Sequence, residues 1–374
     1  MRIAVSAPIV EPKPTGVGVY SINLVNELSR ICDDFWLYTS YPDAFDVDRS
    51  RVRWINERTR PQRGRRGFIN RILWMQTALP MRNLWHRESV VLSTGTEGCL
   101  LPPVPQVVTV HDIIPILFPE LHPHPIEVIF FRYTLPRILR RCAAIICVSE
   151  STKRDIMRVY RMEPDNIHVI YEGFDRELFR PTEDTRAVKR ELGLERYIHY
   201  AGNILPHKNV ARLVEAFALI ADRVPHKLVL QGRRDHPYAK ELETMIEKRG
   251  LSERVVFPGY VPIELLPQLY GRADAYATVS LSEGFGLPPL EAMACGTPVI
   301  ASKTTSLPEV VGDAGILVDP EDTQGIADAL LRIATDESLR AELSRKALKR
   351  ADTFSWSKAA EETLGVLKSV ARGR

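Results

Sequence analysis

The sequence predicts an α/β protein with two domains, each built on a parallel sheet, and three observations carry that expectation. Short β-branched runs alternate with helix-length amphipathic segments almost throughout. Several of those runs are apolar on both faces, as strands buried between helices must be. The chain has 374 residues, too many for one ordinary core, and its 45% hydrophobic content can fill two.

In chain order, the first strand-like runs are Arg2–Ser6, Phe35–Tyr38, Val90–Ser93, Val107–Val110 and Ala144–Val148. His168–Ile170, Ile198–Ala201, Lys227–Leu230, Arg254–Phe257, Ala275–Val279 and Val299–Ala301 follow. Between them, Asn209–Val224 carries Val210, Leu213, Val214, Phe217 and Ile220 at helical spacing. The polar stretch Asp175–Asp184 contains Pro181 and separates two sets of alternating units. The expected domains are therefore residues 1–178 and 179–356. Residues 357–374 are expected to form a last helix that can pack back on the first domain. Asp322–Arg350 reads as one or two helices of the second domain.

Composition removes several function classes. No run of 18 apolar residues exists, so no membrane-spanning helix is expected. The start, MRIAVSAPIVEPKP, has no long apolar region and reads as a strand and loop rather than a leader. A net charge of +3 is too small to imply nucleic-acid binding. The five cysteines include no CxxC pair and read as reduced core thiols of a cytoplasmic protein.

The most informative segment is Ser280–Ala301, SLSEGFGLPPLEAMACGTPVIA. A strand ends near Ser280, a turn holds Gly284 and Gly286, and a helix starts around Pro288, where proline is favoured. Gly296 suits the helix end and Pro298 stops its continuation. Gly284, Phe285, Gly286 and Leu287 thus bring backbone N–H groups to a helix start, which is an anion site. Glu283 and Glu291 flank it eight residues apart, the second placed in the first helical turn. Taken singly, Glu291 reads as helix-dipole compensation and Glu283 as a solvated loop acid. Their combination with the glycines, prolines and following buried strand is far more specific.

These residues resemble the E-x7-E motif of glycosyltransferase family 4, the retaining enzymes of GT-B architecture with two facing Rossmann-like domains and a cleft between them. The resemblance implies that Glu283 faces the donor sugar, that Glu291 binds the ribose hydroxyls, and that the amides between them meet sugar and diphosphate. Other segments then align with the family. Gly16, in TGVGVY after the first strand, is similar to its first glycine loop, though alone it reads as a flexible turn. His111 follows a strand end in VVTVHDIIP, the edge where open α/β sheets bind ligands; the matching histidine contacts the donor sugar. Asp112 would orient that loop.

Lys208, in AGNILPHKN, lies at a helix start, where the dipole disfavours a cation unless an anion binds there. The family has a diphosphate-binding lysine at this place, often with an arginine just after the glycine. Asn203 stands at that second position here, and Arg233 or its neighbour Arg234 can supply the missing charge. Gly259, Tyr260 and Val261, in FPGYV, match the family's base-binding turn, where backbone groups meet the base and leave its identity unread. Ser149–Ser151 is better explained by helix capping, with Thr152–Asp155 read as a capping box.

The expected reaction moves a hexose from a nucleotide-diphosphate sugar to a glycan or lipid-linked acceptor, with retention. No cofactor is expected, and no metal: the one D-x-D, Asp46–Val47–Asp48, lies in a polar loop away from the other motifs. The context of His111 and Lys208 resembles bacterial mannosyltransferases of polysaccharide assembly, which favours GDP-mannose over a UDP-sugar. Other readings are a nucleotide-sugar epimerase or phosphorylase on the same fold, or a nucleotide-sugar-binding protein without catalysis.

One charge feature stands apart. Residues 51–90 hold ten arginines against two acids, a local balance of +8. Phe68, Ile69, Ile72, Leu73, Trp74 and Trp85 lie among them, and Phe68–Leu79 is expected to form a short amphipathic helix. Two readings stand: an anionic membrane surface bound at the inner face, bringing the cleft to a lipid-linked acceptor, or a solvated loop over a core helix.

Overall fold

The computed structural model describes the chain except Thr15, residues 122–124, 183–185, Asp235, Tyr260 and residues 373–374, and except the side chains of Leu121, Arg186, Ala187 and Lys189. It divides into two compact units, Met1–Gly173 with Ser355–Arg374, and Phe174–Phe354. Among the described residues thirteen strands, all paired in parallel, form one sheet in each unit.

In the first unit the strands are β1 (Ile3–Ser6), β2 (Phe35–Thr39), β3 (Val52–Trp54), β4 (Val90–Ser93), β5 (Gln106–Val110), β6 (Ala144–Cys147) and β7 (Ile167–Val169), ordered β3-β2-β1-β4-β5-β6-β7. β1 is the switch point: Ile3 pairs with Phe35 on one side and Val90 on the other, so the crossovers diverge from it. Every residue of β1, β4, β5 and β6 is buried, which accounts for their continuous apolar runs. The helix Val17–Ile31 packs against the terminal helix Trp356–Arg372, and both turn apolar faces inward.

In the second unit β8 (Tyr197–Ala201), β9 (Lys227–Gln231), β10 (Val255–Val256), β11 (Ala275–Thr278), β12 (Val299–Ser302) and β13 (Gly315–Val318) are ordered β10-β9-β8-β11-β12-β13. Here β8 is the switch point, flanked by β9 and β11. The helix Val210–Ala218 buries Val210, Leu213, Val214 and Phe217, each contributing about 1.5–3 kcal/mol by leaving water. Gly232 is required where the turns after β8 and β9 touch, because a Cβ there would lie 1.8 Å from the Gly202 carbonyl oxygen.

Several sequence expectations need correction. β3 and β13 had no counterpart among the expected strands. The helix Glu150–Tyr160 is capped by Ser149, whose hydroxyl accepts from the Thr152 N–H, rather than by Thr152. The Arg-rich segment is not one surface. Phe68 and Trp74 are buried, and Arg71 is buried with its Nε 2.8 Å from Glu97. Arg60 donates to the Ser40 carbonyl. Cys99, Cys142, Cys147 and Cys295 are buried free thiols, and Cys32 is a half-buried one. Among the described residues no helix is long and apolar enough to cross a membrane.

Candidate active site

In an open parallel sheet, ligands bind at the carboxyl ends of the strands beside the switch point. In the second unit those ends belong to β8 and β11, and Lys208 and Glu283 follow them. After β8 the chain makes the short turn Pro206–Lys208 and then Asn209, whose left-handed φ of 57° asparagine tolerates well. The Asn209 amide donates to the carbonyls of Val279 (3.0 Å) and Pro320 (2.8 Å), and the Leu281 N–H donates to the His207 carbonyl (2.8 Å). These bonds staple the two loops together. Lys208 Nζ then lies 2.6 Å from Glu283 Oε2, while the Ser280 hydroxyl donates to Oε1 (2.7 Å).

Burial alone would push the Glu283 carboxyl up, but the adjacent Lys208 ammonium, helped by Ser280 and His207, holds it below the usual carboxylate range. Glu283 is thus an anion, and it answers the dipole argument about Lys208: the protein itself supplies an anion there. Lysine has three donors and a carboxylate about four acceptor sites, so both groups keep capacity for a ligand.

The segment from Glu283 to Glu291 is held from outside. The Glu283 N–H donates to Thr305 Oγ1 (3.2 Å), and the Ser306 hydroxyl donates to the carbonyls of Glu283 (3.1 Å) and Phe285 (2.7 Å). Phe285 is buried against Phe354, which anchors the turn. Gly286 precedes the helix Leu287–Ala294 with φ 111°, a conformation open essentially to glycine. Pro288 and Pro289 carry no N–H, and the Leu290 N–H donates to the Gly286 carbonyl (3.4 Å), so in the first turn of this helix the Leu287 N–H is the donor without an acceptor inside the helix.

Glu291 is the fifth residue of the helix, one position further in than expected and just past the first turn, where dipole compensation is strongest. Burial pushes its carboxyl up to about 7, against the Tyr270 hydroxyl that donates to Oε2 (3.0 Å), and Asp175 adds to the rise. The residue as a whole is only partly buried.

The remaining second-unit candidates are placed as follows. Asn203 is half-buried in the turn after β8, its carbonyl accepting from the Tyr200 hydroxyl (3.2 Å). Arg233 is exposed in the turn after β9. Arg234 is committed to Glu243 (2.7 Å) above the Phe257 ring. Gly259 is exposed with φ 72°, Val261 is buried in a small apolar cluster, and Tyr260 lies outside the described residues.

In the first unit Gly16 precedes the helix Val17–Ile31, whose Ser21 hydroxyl donates to Thr94 Oγ1 (2.7 Å) just past β4. His111, just past β5, is buried with both ring nitrogens engaged. Nε2 is 2.8 Å from the Thr94 carbonyl and Nδ1 is 3.5 Å from Glu172 Oε1, while Tyr20 stacks edge-on at 4.6 Å. Its carbonyl accepts from the Thr152 hydroxyl (3.0 Å). Asp112 accepts from the Ile114 N–H (3.0 Å), holding the loop. Sequence reasoning missed Glu172. Burial raises its carboxyl above the usual range, against the pull of His111, and this residue fixes the imidazole's Nδ1 side.

Comparison with known proteins identifies the family and the fold. Residues 14–178 match Glycosyltransferase Family 4, and residues 181–350 match Glycosyl transferases group 1. The chain is 30% identical to alpha-maltose-1-phosphate synthase of Mycolicibacterium smegmatis, over 99% of this chain and 100% of that protein. It is 29% identical to O-antigen chain mannosyltransferase B of Escherichia coli, over 98% and 100%. In fold it is similar to sucrose-phosphate synthase from Thermosynechococcus elongatus (TM-score 0.79, 21% identity, 100% of both chains covered). It is also similar to Anabaena HepE in complex with UDP and glucose (TM-score 0.77, 22% identity, 99% and 100% covered). With two parallel α/β units of GT-B type and matches across almost its whole length, the chain belongs to glycosyltransferase family 4 and is a glycosyltransferase.

Proposed function

We propose that this enzyme transfers mannose from GDP-mannose to a glycan or lipid-linked acceptor with retention of configuration, in the cytoplasm at the inner face of an anionic membrane. The observation that carries the reading of the donor site is the Lys208–Glu283 pair, stapled at the switch point beside a helix start. Lys208, with Arg233 as the second charge that Asn203 does not supply, takes the diphosphate. Glu283 accepts from hydroxyls of the sugar, and Glu291 accepts from the ribose. His111 faces the sugar, and Gly259 and Val261 offer backbone groups to the base.

In the transfer, the bond between the anomeric carbon and the phosphate oxygen breaks while the acceptor oxygen bonds that carbon on the same face. The acceptor's proton passes to the departing phosphate oxygen. Negative charge grows on the diphosphate, where a preorganised cation and backbone N–H groups stabilise it most. No side chain is assigned as general base.

The reading needs no metal. The D-x-D aspartates have other work: Asp46 pairs with Arg30 (3.6 Å), and Asp48 caps the turn Arg49–Arg51 by accepting from the Ser50 N–H (2.8 Å). Mannose is favoured by the E. coli relative, named a mannosyltransferase. A UDP-sugar is the second reading, favoured by the HepE complex with UDP and glucose. Incubation with GDP-mannose, UDP-glucose and other nucleotide sugars, with and without chelator, tests both by release of nucleoside diphosphate. Release from UDP-sugars alone would overturn the mannose reading, and dependence on added metal would overturn metal independence.

A further inference from the structure

Tyr270 belongs to the short helix Leu266–Gly271, which packs against the helix Leu287–Ala294 that carries Glu291. Its hydroxyl donates to Glu291 Oε2 (3.0 Å), and among the described residues it is the one side chain that hydrogen-bonds this carboxyl. Tyr270 is 2% exposed, so the bond is shielded from bulk water. Burial keeps the phenol well above its ordinary range, so the hydroxyl retains its hydrogen across the neutral range. Towards an ionised carboxylate, which only accepts, it can act only as donor.

The phenol ring is caged. Phe179, His199 and Tyr276 surround it with ring centroids 5.9, 5.0 and 5.9 Å away, and the Thr297 hydroxyl donates to the Tyr270 carbonyl (2.8 Å). A tyrosine side chain turns about two torsions, and a ring enclosed by three others turns about neither freely. The cage brings no charge of its own, because burial pushes the His199 imidazole down to about 3 and leaves it neutral. The other ionisable groups in electrostatic reach of Glu291 do not favour its charged form. Asp175 opposes ionisation, while Tyr276 on β11 and Cys295 at the helix end are held protonated by burial.

We propose that Tyr270 is the positioning residue of the nucleotide site: its caged hydroxyl occupies Oε2 of Glu291, fixes the plane of the carboxylate, and stabilises the ionised form that the ribose hydroxyls need. The inference rests on the ribose role of Glu291 in the proposed function and adds the residue that makes that role workable. A buried carboxyl left to itself prefers its neutral form and can turn. A hydrogen bond to the charged form opposes the first tendency, and a donor fixed in space opposes the second. Tyr270 touches no substrate atom and acts only through Glu291.

The test compares GDP affinity against pH for wild type, Tyr270→Phe and Glu291→Gln, each as a ratio to wild type so that the diphosphate's own titration cancels. Tyr270→Phe keeps the ring in its cage and removes the donor, which should move the midpoint up from about 7 by about one pH unit. The variant should then bind GDP about ninefold more weakly at pH 6 and within about twofold of wild type at pH 9. It should bind 2′,3′-dideoxyguanosine diphosphate and inorganic pyrophosphate as wild type does, because neither offers ribose hydroxyls to Glu291. Thr297→Val, which frees the Tyr270 carbonyl, should shift the midpoint the same way by less, and it decides the matter if melting curves show Tyr270→Phe unfolded. A midpoint that stays put, or a loss of affinity equal at every pH, overturns the inference: the first means that the hydroxyl does nothing for the carboxylate, and the second that it only holds the fold. If Glu291→Gln flattens the profile while Tyr270→Phe leaves it unmoved, the ribose reading stands and the role of Tyr270 falls. If Glu291→Gln keeps the wild-type profile, the ribose reading itself fails and takes the inference with it.

Discussion

Glu291 offers the sharpest test of the donor site, because its protonation and its role make opposite demands. Burial holds its carboxyl at about 7, so half the free enzyme carries a proton there at neutral pH. Ribose hydroxyls donate, and only the ionised carboxylate accepts from both. Nucleotide binding must therefore expel that proton. The apparent dissociation constant then exceeds its limit about elevenfold at pH 6 and about 1.1-fold at pH 8, a tenfold gain or about 1.4 kcal/mol. Glu291→Gln cannot titrate, so its affinity for GDP should show only the diphosphate's own pH dependence, which cancels in the ratio of the two proteins. At pH 8 it should bind about 1–3 kcal/mol more weakly than wild type, the usual worth of a charged hydrogen bond. The stability effect has the reverse sign. A carboxyl raised in the folded state is destabilising once ionised, so wild-type stability falls as pH rises from about 4.5 through 7, by at most about 3 kcal/mol, and the variant should melt higher at pH 8. Calorimetric titration with GDP, in buffers of different ionisation enthalpy, should show about half a proton released at pH 7 by wild type in excess of the variant. Equal pH dependence and equal proton release in the two proteins would refute the ribose assignment.

Three further outcomes are expected. Lys208→Ala should lower turnover about 10²–10³-fold with little change in melting, and wild-type turnover would remove Lys208 from the site. Glu172→Gln should keep the fold while lowering turnover about tenfold to a hundredfold, by loosening His111 on its Nδ1 side; steady-state rates beside a melting curve check this. Burial raises the Asp274 carboxyl, but His226 (2.7 Å) and Arg196 (3.3 Å) pull it below its ordinary value, so the stability it contributes is present above about pH 4 and lost as pH falls further. Asp274→Asn should therefore cost about 2 kcal/mol at neutral pH and flatten the acid limb of the stability curve, and equal acid limbs would contradict it.

The sequence by itself determined most of the strands and the local motifs. Apolar runs such as Val90–Ser93 and Ala144–Cys147 are legible because a buried parallel strand needs nothing outside itself to look apolar. β3 escaped because Val52–Trp54 is three partly exposed residues among arginines. β13 escaped because Gly315–Val318 is short and half-exposed, and only its neighbour β12 makes it a strand. The motif from Glu283 to Glu291 is legible because its glycines, prolines and carboxylates act within one turn and one helix. The tertiary structure alone decided which charges meet: Lys208 with Glu283, His111 with Glu172, and Arg71 with a buried Glu97 rather than with solvent. The physical reason is range. Helix and strand periodicity, capping and turn chemistry act over a few residues and are written in consecutive letters. Ion pairs join residues distant along the chain, set by strand order and by the burial that makes an unpaired charge costly.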